Sequence, residues 1–388
     1  MERLTLKQMF LNKIDNEVRG YAEELAKVSG CYSSGSNLKK VLKDEKKEFE
    51  SIQGLLRIVE YVWGDEKLKL MIKYSEEVDP NKKMARNLLE YLAVNRQFEA
   101  LNNLVDKMDN CKNKESNEWA KVYRMLCKYE KTNEEEMNLL LPEIGEINVT
   151  VFELKVFKKM LINYCYSQMT AYHMVKIISK EIETEVELIE NNYIKEMYKV
   201  RTSQIMIYTH LRVCNDPNTA RTYADSIINL SMPAKAFKAY AYFYKGMSYM
   251  YTSHEEAVNN LEKSVSLYEE QNRTNDVEYI EELIEFINVY WDKFDKDHCK
   301  SIKNEILLMI KKGIDATNYL INNKEKIEPE FYLYLEGCNS NSMKKWKLSM
   351  IKYINKQDFF MANLAKLKLI EHGEDEEILN EMMGDDVN

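Results

Sequence analysis

Between residues 19 and 43 the chain reads RGYAEELAKVSGCYSSGSNLKKVLK, a stretch that gathers side chains suited to holding a nucleic acid. Ser33, Ser34, Ser36 and Asn37 can bond phosphate oxygens or base edges, and Lys39, Lys40 and Lys43 can neutralise phosphates beside them. Ala26 and Gly30 stand four apart, the spacing of the inner-face alanine and the turn glycine of a helix-turn-helix. Leu38, with Val41 or Leu42, supplies the apolar pair that packs back, two residues further on than usual, so the turn is extended through Tyr32, Ser33 and Ser34. The second helix is expected to start near Ser36, a competent N-cap, and to present Asn37, Lys39, Lys40 and Lys43 outward. From this segment alone, the cap of a helical bundle bearing surface lysines reads the same way.

No comparable pattern points to catalysis or to a metal. The five histidines (His173, His210, His254, His298 and His372) fall on separate expected helices or loops, without HExxH, a nucleophile elbow or a Cys/His pairing. Paired carboxylates such as Glu255 and Glu256 are common on solvated helix faces. Seven cysteines (Cys31, Cys111, Cys127, Cys165, Cys214, Cys299 and Cys338) lie tens of residues apart with no CxxC, as small buried hydrophobes in a reducing compartment would. No catalytic residue, metal or cofactor is expected, and the chain does not read as an enzyme.

The elements that must position these residues are helices. In 388 residues there are 11 Gly and 5 Pro, about 4% of the chain against roughly 12% in average usage. That scarcity disfavours sandwiches, barrels, P-loops and Rossmann domains, which need such punctuation. Mean hydropathy is −0.52, no apolar run approaches membrane-spanning length, and the N-terminus lacks signal-peptide character, so a cytoplasmic protein is expected. Residues 1–50 carry ten Lys/Arg against nine Asp/Glu, and the remainder 45 against 55, so the front is at +1 and the rest at −10. A small basic face on an acidic body can still bind DNA, because counterion release depends on local contacts. The last sixteen residues hold seven acids and no base, the pattern of a solvated tail or a frayed helix end.

From about residue 66 onward, apolar residues recur every three or four positions and no strand alternation is sustained. The clearest hairpin is KAFKAYAYFYKGMSYMYTSHEEAVNNLEKSVSLYEE, in which Gly246 and Ala257 let two helices approach closely, as in a tetratricopeptide unit with a shortened turn. Ala220, Ala224 and Ile227 mark a weaker copy that Pro233 closes, and 85–108, 156–182 and 306–321 read as degenerate hairpins. The expected fold is all-α, an N-terminal helix-turn-helix followed by a right-handed superhelix of tetratricopeptide-like hairpins whose concave face suits an extended peptide. The expected divisions are a DNA-binding head at 1–65, a sensing superhelix with C-terminal capping and dimerisation helices at 66–375, and an acidic tail at 376–388. Within MKKWKLSMIKYI, Trp346 and Ile351 are candidates for the dimer face, since an end repeat must hide its apolar surface.

The stretch LMIKYSEEVDPNKKMARNLLEYL, followed by FE and KVY within residues 64–123, resembles AimR, the arbitrium receptor family of temperate Bacillus phages, within a wider group that includes Rap, PlcR and NprR. GMSYM at 246–250, YLEG at 334–337 and QDFF at 357–360 extend the likeness over most of the chain. The resemblance implies a homodimeric transcription regulator that binds double-stranded operator DNA and activates a lytic gene until an imported signalling peptide switches it off. In the family, asparagines on inner helices clamp the peptide backbone and acidic residues receive its basic side chain. Asp358 matches one such acid and Glu305 lies near another, whereas the clamp positions carry Tyr208 and Met247, and a neighbouring basic position carries Ala236. Together with Tyr251, these changes imply a more apolar groove. The competing reading is an interaction scaffold of the Rap kind that grips a protein target without DNA.

Overall fold

The computed structural model describes residues 4–190, 192–230 and 234–384; Pro233 and the end of the acidic tail, 385–388, lie outside them. Among the described residues every regular element is a helix and none is a strand. The chain forms two compact units, Met1–Met169 with Glu181–Lys199, and Thr170–Lys180 with Val200–Asn388.

The first unit opens with α1 (Leu6–Asn16), α2 (Tyr21–Ser29), α3 (Gly35–Lys43) and α4 (Ile52–Trp63). A capping box starts α1: Gln8 N donates to the Thr5 hydroxyl while the Gln8 side chain accepts from Thr5 N. Gly30 ends α2 in the left-handed conformation at φ 71°, which glycine adopts at little cost. Leu6, Phe10, Leu25, Leu38 and Leu42 are fully buried, with Phe10 edge-on to Trp63 at 4.6 Å. The helix α4 packs against α2 and against the following helices Lys67–Glu77 and Lys83–Val94. The 85–108 hairpin forms as expected, from Lys83–Val94 and Phe98–Asp109. Trp119, Tyr123, Phe157 and Tyr198 form a run of stacked and tilted rings in this unit's core.

In the second unit, Pro217–Ile228, Lys235–Ser248, His254–Glu269 and Thr274–Tyr290 pack each on the next in chain order. Gly246 behaves as its spacing implied: a Cβ there would stand 2.7 Å from Leu261 Cγ and 2.9 Å from the Ala257 carbonyl oxygen. Ala220, Ala224 and Ile227 are buried, also as expected. Two expectations change. The 306–321 segment is not a hairpin, because Ile302–Lys311 and the six-residue Thr317–Asn322 each pack on Pro329–Ser340 instead. Nor does Trp346 offer a dimer face. It is 1% exposed and packed so tightly on Gly337 that a Cβ there would meet its indole at 2.5 Å, so only Ile351 of that pair reaches the surface.

Candidate nucleic-acid helix and ligand cavity

The N-cap of α3 is Ser34, whose hydroxyl accepts from Asn37 N at 3.3 Å, two residues before the expected Ser36 cap. The earlier start follows from Gly35. A Cβ there would lie 2.5 Å from Glu23 N and 2.6 Å from the Ala22 carbonyl carbon, so only glycine allows α3 to begin against the backbone of α2. The Glu23 carboxylate accepts from Gly35 N at 2.7 Å and satisfies a donor that the new helix leaves open. At the far end, Lys7 is buried and donates to the carbonyls of Asp44, at 2.7 Å, and Lys47, burial lowering its pKa from the ordinary lysine value.

Both ends of α3 are thereby held. Its outer surface carries Ser36, Lys40 and Lys43, with Ser33 exposed in the preceding turn, while Ser34, Asn37 and Lys39 are half-buried. Asn37 Nδ2 donates to the Ser33 hydroxyl at 2.7 Å, and its carbonyl oxygen accepts no hydrogen bond among the described residues. Lys39, Lys40 and Lys43 make no ion pair among the described residues. Leu38, Val41 and Leu42 point inward, as their spacing implied.

The second unit contains a cavity of about 320 Å³, within the range of small-ligand sites. Met247 and Asp358, two of the residues singled out from sequence, line it. The other three stand outside the lining. Tyr208 supports it from behind, its ring 5.6 Å from that of the lining residue Tyr172 and 5.9 Å from Tyr244. Tyr251 donates its hydroxyl to the Phe360 carbonyl at 3.1 Å and packs its ring at a tilt against that of Phe360, bracing the helix that follows Asp358. Glu305 accepts from Cys299 N at 2.6 Å and lies 3.2 Å from His298 Nδ1, so it shapes a loop.

The cavity wall also holds an ion pair of Asp358 with an arginine that the sequence reading did not single out. Tyr193–Tyr208 runs into a five-residue π-helical turn, Thr209–Val213, in which Cys214 N donates to the Thr209 carbonyl at 2.9 Å. Such a turn rotates the following side chains out of α-helical register. Here it carries Arg212, which grips Asp358 through Nε to Oδ1 at 2.8 Å and Nη2 to Oδ2. Asp358 also caps the helix Phe359–Glu371, accepting from Met361 N at 3.2 Å. Burial disfavours the charge of Arg212 and Asp358 restores it, leaving the guanidinium pKa above its ordinary value. Elsewhere in the wall Lys356 pairs with the buried Glu330 at 2.6 Å and Lys303 with Glu328 at 3.0 Å, while Glu282 has no side-chain partner among the described residues.

The AimR transcriptional regulator-like family matches residues 67–371, more than three-quarters of the chain. The AimR transcriptional regulator of Bacillus phage phi3T is 27% identical over 381 residues, 94% of this chain and 97% of that one. The solved structure of selenomethionine phAimR superimposes with a TM-score of 0.76 at 26% identity, covering 98% of this chain and 100% of that one. A solved phAimR–ligand structure gives 0.69 at 25% identity, over 84% of this chain and 99% of that one. This chain belongs to the AimR-like family.

Within that AimR-like frame, a compositional signal could have found Arg212. The chain has 45 Lys and only 10 Arg, and arginine is the cation whose planar fork suits a bidentate carboxylate grip, so each arginine here merited attention. The π-helical turn that aims it has no comparable sequence mark. Among the described residues no cluster of three or more His, Cys, Asp or Glu could hold a metal ion, and no helix is long and apolar enough to cross a membrane.

Proposed function

We propose that this protein is a DNA-binding transcription regulator of a phage lysis–lysogeny decision, working in the host cytoplasm as a homodimer and controlled by a short signalling peptide in the cavity of its second unit. It has no catalytic role in this reading. The observation that carries the proposal is the family match spanning 67–371, together with likeness to a ligand-bound structure over most of the chain. In front of the matched region, α2 and α3 act as the reading head, within a DNA-binding segment at 1–65.

On α3, Lys39, Lys40 and Lys43 neutralise phosphates, and Ser33, Ser34, Ser36 and Asn37 approach phosphate oxygens and base edges. Met247 and Asp358 belong to the peptide site directly, and Tyr208 and Tyr251 shape it from behind. The peptide acts by favouring one arrangement of the helical hairpins, which changes the separation of two reading heads and hence their fit to paired half-sites. In this reading the protein activates transcription when free of peptide.

A mobility shift with DNA upstream of the neighbouring genes tests it. A specific shift that weakens steeply with salt and is abolished by the cognate peptide is expected. A folded protein that gives no specific shift sinks the DNA reading and favours the protein-interaction scaffold.

A further inference from the structure

We infer that the cavity of the second unit takes its ligand by a carboxylate seated on the open edge of Arg212, with Asp358 orienting that arginine instead of receiving a basic group. The inference rests on the peptide-sensing reading and deepens it by naming the chemistry that the site selects.

A guanidinium carries five N–H donors in a rigid fork. Asp358 engages Nε and Nη2, and Nη1 has no partner among the described residues. The Arg212 side chain is 22% exposed and that of Asp358 8%, so the arginine is the more accessible member of the pair at the cavity wall. Asp358 already accepts three hydrogen bonds: Oδ1 accepts from Arg212 Nε and Met361 N, and Oδ2 accepts from Arg212 Nη2. A basic ligand group would have to crowd a second positive charge beside the chelating arginine, or displace that arginine and leave it unpaired in a mostly buried place, and either is costly.

The other charges in the wall agree. Glu330 and Glu328 are matched by Lys356 and Lys303, leaving Glu282 as the acid free to face a positive ligand group. Nearby, Tyr208 and Tyr244 are held protonated because burial raises their pKa, so neither competes with a ligand anion for Arg212. A ligand carboxylate on Nη1 completes a carboxylate–guanidinium–carboxylate arrangement, with Asp358 fixing the fork in advance and sparing the ligand the cost of ordering it.

A peptide can supply that carboxylate from its C-terminus or from an Asp or Glu side chain. Four libraries of short peptides separate these sources, with C-termini free or amidated and with Asp and Glu present or absent. Each is incubated with the full chain, and peptides that co-elute on gel filtration are sequenced by mass spectrometry.

The library with neither carboxylate is expected to yield nothing, and whichever single-carboxylate library retains peptides identifies the source. Retention from the carboxylate-free library at comparable affinity overturns the inference while leaving peptide sensing intact. If all four yield nothing, the peptide-sensing reading itself fails. The best peptide is then titrated against the paired variant Arg212→Gln/Asp358→Asn, which keeps an uncharged hydrogen-bonded pair and whose folding is checked by its melting curve. At least a tenfold loss of affinity is expected. Unchanged affinity in a folded variant overturns the assignment to Arg212.

Discussion

The helix α3 of the first unit and the cavity of the second handle positive charge in opposite ways. On α3 Lys40 and Lys43 stand exposed and Lys39 half-buried, none of them in an ion pair among the described residues, whereas in the second unit the cations that line the cavity, Arg212, Lys303 and Lys356, are each engaged by a carboxylate. Unpaired surface lysines suit a partner that brings many negative charges and is recognised mainly by position, as a phosphate backbone is. A pre-paired arginine in a walled cavity suits a small ligand, because its geometry is set before binding and its charge never stands alone in a poorly solvated place. The contrast follows from hydration: water stabilises the exposed lysines, and only a carboxylate can do so for the arginine.

The largest test of this contrast is Arg212→Ala. It strands the Asp358 carboxylate with only the Met361 N–H, and a loss of about 3 kcal/mol is expected in denaturant unfolding, against less than about 0.5 for Lys40→Ala. Equal losses would break the comparison. Next is Gly35→Ala, whose Cβ would press on the α2 backbone; it is expected to cost about 1–3 kcal/mol and to abolish the DNA shift. Gly145→Ala, in a helix with nothing within 4 Å of its Cβ, is the control, expected to be neutral or slightly stabilising by thermal melting.

Lys39→Ala with Lys40→Ala should leave stability unchanged, weaken binding across all DNA sequences, and reduce the slope of log affinity against log salt by about 2. Asn37→Ala should alter base preference instead, and identical behaviour of all three substitutions would count against α3 as the helix that reads base edges.

The smallest effect is one in which the units should agree. Asp79 accepts from Asn81 N and its side-chain amide, and Asp315 from the Thr317 hydroxyl and N–H, and these bonds hold both carboxyls below the usual range. Because the folded pKa is the lower one, the contribution is fully present above the unfolded value of about 3.9 and is lost as pH falls through the folded value. Asp79→Asn and Asp315→Asn should each remove a similarly small part of the acid limb of stability, read by urea unfolding between neutral and acid pH.

Much of the scaffold was legible because local rules carry it. Gly246 opposite Ala257 needed only the three- and four-residue periodicity of a helix, and Gly30 only the wish of a helix end for a left-handed residue. The Ser36 cap went astray because Ser34 and Ser36 are equally good caps locally, and the choice was made by Gly35 meeting α2. Trp346 suggested an exposed face from its helix alone, and Gly337 on another helix takes it inside. Asp358 was found through its QDFF motif, but its partner is 146 positions away in sequence, beyond the reach of periodicity or spacing.

By itself, then, the chain's pattern of apolar residues and its shortage of glycine and proline determined a helical protein, the place of its lysine-bearing front helix and the packing of its central hairpins. These depend on backbone geometry and near neighbours, which a linear pattern encodes. Only the tertiary structure decided which carboxylates are free and which are occupied. The charge state available to a ligand is set by whatever burial brings within hydrogen-bond distance, and here a single π-helical turn places an arginine on the acid that sequence reading had left open.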